Sequence, residues 1–120
     1  DKAHAPRRLA DWIAREAKRE LTEASDRRAA EMGVKVSRVS VRDQKSRWGS
    51  CSSSGDLSYS WRLIMAPPHV LDYVVVHEAA HLLHMNHGAA YWRLVLKHCP
   101  NAADAKDWLK ANGGKLHRML

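Results

Sequence analysis

Cysteine is nearly absent from this 120-residue chain: Cys51 and Cys99 are the only two, and they stand far apart. So sparse a pair reads as reduced thiols in a cytoplasmic protein, with one long-range disulfide as the alternative. No stretch reaches the ~18 consecutive apolar residues of a membrane span, and no basic-then-apolar leader begins the chain, so no membrane partner is expected. Repeats and low-complexity linkers are missing as well. That leaves a single domain, residues 1–120, large enough to bury a core without staples. The first residue is Asp1 rather than methionine, so the chain reads as a processed piece, the C-terminal part of a longer parent. Glutamate also runs out early: none follows Glu78.

Positive charge is plentiful but unevenly placed. The net charge is +7. Residues 1–47 hold 13 Lys/Arg against 8 Asp/Glu, residues 48–96 hold 2 against 3, and residues 97–120 hold 5 against 2. The middle third is therefore near neutral between basic flanks, which can serve a nucleic acid or an acidic partner. Acidic and basic residues interleave along 11–31, however, as on a solvated helix face laced with i,i+4 pairs, and this plainer reading is favoured.

The periodicities place the elements. Leu9, Trp12, Ile13, Ala17, Leu21 and Ala24 recur three and four apart, predicting a long amphipathic helix from Pro6 to about Met32 that Gly33 caps. Val34 and Val36, then Val39 and Val41, alternate with a slip of phase near Ser37, as in a strand with a bulge or bend. Leu57, Tyr59, Trp61 and Leu63 alternate with Ser58, Ser60 and Arg62, a strand with one buried face. Ser52 to Asp56 is turn material. Pro67-Pro68 opens a further helix, and Val70 to Leu83 is too long a patterned run for a typical strand. Another helix runs from about Ala89, with Trp92, Val95 and Leu96 inward, and stops before Pro100. Asn101 with Asp104 resembles an N-cap pair for a last helix ending at Gly113-Gly114. The fold class is α+β: a long helix, a small antiparallel sheet, then three helices.

Within that neutral middle lies the chemistry. His77-Glu78-Ala79-Ala80-His81 is an H-E-x-x-H pattern, with His87 six residues on. Histidines four apart share one helix face, so both rings reach one ion, and the adjacent Glu78 can touch a water on that ion without ligating it. With eight histidines in the chain, the bare pattern arises by chance at roughly 2%, and requiring His87 lowers this to roughly 0.1–0.2%. His87 is the third ligand if residues 82–86 finish the helix and Asn86 caps it in a left-handed conformation. His84 is the rival, but on a straight helix it stands about 10 Å from His77. A downstream glutamate ligand is excluded; Asp104 and Asp107 read as ordinary helix residues. Three ligands leave the fourth tetrahedral position of a Zn2+ ion open, the mark of a catalytic site.

The ordered blocks Gln44–Ser52, Trp61–Pro68 and Asp72–Glu78, followed by Asn86-His87 and Trp92, resemble the YgjP-like metallopeptidase domain, a compact zincin related to the SprT-like proteases. The similarity spans about Gly33 to Asn112. It implies a zincin-like fold, zinc ligands at His77, His81 and His87, and a general base at Glu78. Ala79 stands where most members carry leucine, a change that leaves the chemistry alone. Members also usually carry an additional N-terminal portion.

The expected function is a zinc-dependent peptidase of the HExxH…H type acting on a peptide or protein substrate. A zinc-bound water attacks the peptide carbonyl, and Glu78 takes its proton and delivers it to the departing amine. Leu57–Leu63 is the expected edge strand for an extended peptide. Tyr59, Arg62, His84 and Tyr91 are the candidates for a second oxyanion donor, with aromatic packing the plainer role for the two tyrosines. Two other readings stay open. One is a zinc-binding module that docks nucleic acid or a partner protein without proteolysis. The other is a structural zinc site completed by His84, Cys51 or Asp104.

Overall fold

The computed structural model describes residues 5–120; the expected domain boundary at Asp1 lies outside them. Helix α1 spans Ala5–Glu31 and packs on β1, α2 and the 3-10 helix described below. Its stripe of Ile13, Ala17, Leu21 and Ala24 is buried, whereas Leu9 and Trp12, expected on the same face, are exposed. They stand on the N-terminal turns of the helix, beyond the start of the buried stripe at Ile13. Gly33, at φ +78°, ends α1 in a Schellman motif: the Gly33 amide donates to Ala30 O at 3.1 Å and the Val34 amide to Ala29 O at 2.9 Å.

The chain bends at Ser37 and enters β1 (Arg38–Arg42), followed by β2 (Gly49–Cys51) and β3 (Asp56–Ser60). The sheet order is β1-β3-β2. β2 and β3 form an antiparallel hairpin about the Ser52–Gly55 turn, while β1 runs parallel to β3. The expectation of an antiparallel sheet is therefore corrected to a mixed one. Gly49-Ser50-Cys51 has no apolar alternation to announce a strand, so the sequence reading missed a reversal. With two reversals between them, β1 and β3 point the same way.

β3 also ends sooner than the alternation to Leu63 implied. The Ser60 hydroxyl accepts from the Arg62 amide at 3.2 Å and caps a 3-10 helix, Trp61–Met65. Trp61 and Leu63 stay buried, but Arg62 is buried too, at 4% exposure. Its guanidinium donates to Asp43 at 2.8 Å, to Leu116 O at 3.3 Å and to the Met119 carbonyl. Arg62 therefore ties Leu116 and Met119 to the segment that follows β1, and its guanidinium is spent on those bonds rather than on an oxyanion.

Helix α2, Pro68–Ala80, starts on the expected prolines and lies at the centre, touching α1, β2, the 3-10 helix and the helices that follow. Valines 70, 74, 75 and 76 are all buried, so packing on several sides outweighs the weak helix penalty on β-branched residues. Arg28 of α1 grips Asp72 of α2 with two bonds of 3.0 and 2.6 Å. Helix α3 spans Ala89–His98 and α4 spans Ala102–Arg118. Tyr91 and Val95 are buried, but Leu96, expected inward, is half exposed. Asn101 precedes α4 without capping it; its side-chain oxygen accepts from the Cys99 thiol at 3.5 Å. Gly113 and Gly114 do not end α4. A Cβ on Gly113 would stand 3.3 Å from the Trp48 ring, so this glycine permits close packing inside a continuing helix. No helix among the described residues is long and apolar enough to cross a membrane.

Candidate metal centre

His77 lies in the last turn of α2 and His81 is its C-cap residue. Beyond it the chain does not swing through a left-handed Asn86: positive φ among the described non-glycine residues occurs only at Leu120. Instead, i→i+3 bonds from the amides of His81, Leu82 and Leu83 tighten the backbone, and the loop then brings His87 back. One ligand nitrogen from each of His77, His81 and His87 falls within 4.8 Å of the other two. The Nε2 atoms of His81 and His87 are 3.0 Å apart. His84, the rival, contributes its backbone carbonyl, which accepts from His81 Nδ1 at 3.0 Å.

That bond matters for the neighbouring nitrogen. A proton on His81 Nδ1 leaves Nε2 a bare lone pair aimed at His87. His77 Nδ1 is likewise held by the Tyr73 hydroxyl at 3.3 Å. Fixing the far nitrogen in this way orients a metal-binding imidazole and sets its tautomer. Buried Tyr91 stacks on His81 at 4.5 Å and donates to His77 O at 2.9 Å, and Trp92 stands edge-on to His77. The sequence reading missed Tyr73, although its four-residue offset from His77 was there to be read. Burial, with His81, His87 and Lys106 near, pushes the His77 imidazole down to about 4. It is therefore neutral at pH 7, the form that ligates. Three imidazoles converging on one point fit a borderline-soft divalent cation such as zinc, whose tetrahedral ligands sit about 3.3 Å apart.

Glu78 is buried at 6% exposure and lines the same cleft, with Arg47, Gly49, Ser50, Cys51 and the three histidines. Burial pushes its carboxyl up to about 7 against the opposing pull of Arg47. Gly49 makes room for it: a Cβ there would stand 3.0 Å from Glu78 Cγ, 3.1 Å from Oε2 and 3.2 Å from Ser58 O. Cys51 borders the cleft, but burial and nearby Glu78 push its thiol up to about 11, away from the thiolate that ligates. Both cysteines are free. Tyr59 is spent on the core, its hydroxyl bonded to Ser25 at 2.8 Å. The expected edge strand is also corrected. β3 is flanked on both sides, and it is β2 that carries an unpaired edge beside the histidines.

The sequence profile of the YgjP-like metallopeptidase domain matches residues 1–112. The chain belongs to the YgjP-like metallopeptidase family. The crystal structure of the metallopeptidase zymogen of Pyrococcus abyssi abylysin resembles this YgjP-like domain with a TM-score of 0.69. The match covers 77% of this chain and 93% of that one at 20% identity, a likeness of fold. No functionally curated protein matches the YgjP-like chain in sequence. The family makes it a metallopeptidase domain, with a histidine trio that could hold an ion.

Proposed function

We propose that the domain hydrolyses peptide bonds with one zinc ion held by His77, His81 and His87 and with Glu78 as general base. The observation that carries this reading is the convergence of three imidazole nitrogens in one cleft with a buried, non-ligating carboxylate. A zinc ion held by these three histidines would supply a Lewis acid for the carbonyl oxygen and would make water acidic enough to serve near neutral pH. Glu78 takes a proton from the attacking water as its oxygen bonds to the carbonyl carbon, and releases it to the amine nitrogen as the C–N bond breaks. A carboxyl poised near neutrality suits both halves of that transfer. The free edge of β2 aligns an extended peptide through main-chain hydrogen bonds. Tyr73 and the His84 carbonyl keep the two helix-borne rings from turning.

The test begins with chelator-stripped protein. Zinc titration is expected to saturate at one ion per chain, with cleavage of an unfolded protein stopping on stripping and returning on reloading. A chain loaded one-to-one that cuts nothing in an unfolded proteome would overturn the reading. Gly49→Ala is expected to keep the zinc stoichiometry yet lose about tenfold to a hundredfold in kcat/KM, because the new methyl displaces the base by a few tenths of an ångström or more. Unchanged kcat/KM in that variant would remove Glu78 from the mechanism.

A second reading rests on the outer face of the sheet, where Arg38, Arg42 and Arg47 line a polar groove of about 450 Å³ with a row of serines. There the domain docks nucleic acid without proteolysis. Its mark is DNA or RNA binding that weakens steeply with salt, together with no cleavage by the zinc-loaded chain.

A further inference from the structure

Next to the histidine cleft lies a cavity of about 250 Å³ that the proposed chemistry does not use. Arg47, Gly49, His77 and Glu78 form the side it shares with the cleft, and Trp48, Tyr73, Val74 and Leu109 form the rest. We propose that this cavity seats a large apolar side chain flanking the scissile bond, so that the domain selects peptides carrying leucine or phenylalanine there. The proposal rests on the peptidase reading above.

Three observations support an apolar occupant. First, the walls away from the shared side, Trp48, Tyr73, Val74 and Leu109, are mostly carbon, and the Tyr73 hydroxyl is already engaged with His77 Nδ1, which leaves a surface suited to an apolar group. Second, the cavity is preformed. The Trp48 ring stacks on His117 at 4.0 Å and 15°, and its far edge lies against Gly113 of α4. Arg62 in turn anchors the end of α4 through the Leu116 and Met119 carbonyls. A wall held from behind loses little freedom when it is filled. Third, Trp48 directly precedes the free strand β2, and a peptide paired with that strand turns alternate side chains to the same side. One residue beside the bond in front of Glu78 therefore meets the cavity.

The experiment uses the zinc-loaded chain and a peptide mixture randomised on both sides of the cleavage point, followed by single peptides with Gly, Ala, Val, Leu or Phe at the preferred place. The expected result is kcat/KM at least about tenfold higher for Leu or Phe than for Ala on one side of the bond, from the extra methylenes buried. Leu109→Trp fills the cavity and is expected to reduce that ratio to about twofold or less, with zinc affinity unchanged. Should that variant fail to fold, Leu109→Ala serves instead, with preference shifted toward Phe. Calorimetric binding of the same peptides to zinc-loaded Glu78→Gln gives a readout without turnover. Cleavage with no apolar preference on either side overturns the cavity assignment and leaves the peptidase reading standing. No cleavage at all, with Leu and Phe peptides still bound at least about tenfold more tightly than Ala, overturns the peptidase reading and keeps the cavity. Neither cleavage nor selective binding overturns both.

Discussion

Glu78→Gln is expected to lower kcat by about 10²–10⁴-fold while the chain still binds one zinc ion. The substitution keeps shape and volume, so the tight space against Gly49 is filled as before, but an amide cannot accept the proton. Because Glu78 is not among the converging nitrogens, zinc affinity measured by competition with a chromophoric chelator should stay within a few-fold of the parent. Stability of the metal-free protein gives an independent check. Burial raises the carboxyl from its ordinary value to about 7, so its contribution to stability is intact below the unfolded value and is lost as pH rises through about 7. Removing the charge should leave the variant at least as stable as the parent above pH 7 in thermal melts. Undiminished turnover in this variant would refute general-base catalysis by Glu78.

His87→Ala is expected to abolish turnover and to weaken zinc binding by at least about 100-fold, since loss of a direct ligand costs no less than loss of the groups that orient one. His87 is exposed and comes from the loop after α2, so its removal should leave the melting temperature of the metal-free protein nearly unchanged. His84→Ala is the natural control: the structure uses its carbonyl, which any residue supplies, and the variant should bind zinc like the parent. Equal losses in the two variants would mean that the ion is held by a different set.

The convergence of the three histidines, with Glu78 beside them, was legible because it is written in short spacings: four residues on one helix face, then one loop. The long helices were legible for the same reason, being local patterns of three and four. The sheet was not. β2 is three residues of Gly, Ser and Cys whose strand character comes from pairing Gly49 with Tyr59 and Cys51 with Leu57, a tertiary fact with no periodic trace. Missing it inverted the direction of β1 and misplaced the free edge. Gly113 misled in the opposite way. A helix-ending residue by propensity, it is kept inside α4 by its closeness to Trp48, some sixty-five positions earlier. Arg62 looked like one more polar outward residue until the 3-10 turn carried it inward to Asp43 and the C-terminal carbonyls.

The nitrogens that converge on one point all come from residues 77–87, whereas the room for Glu78 depends on Gly49, far away in the chain. Closing so short a loop is fast and entropically cheap, while docking a strand from a distant segment is neither. Under the proposed function, capture of the ion would thus be a local event open to a half-assembled chain. Competence to cut would wait until the hairpin has settled against the central helix, which would keep a nascent or damaged molecule from hydrolysing its neighbours.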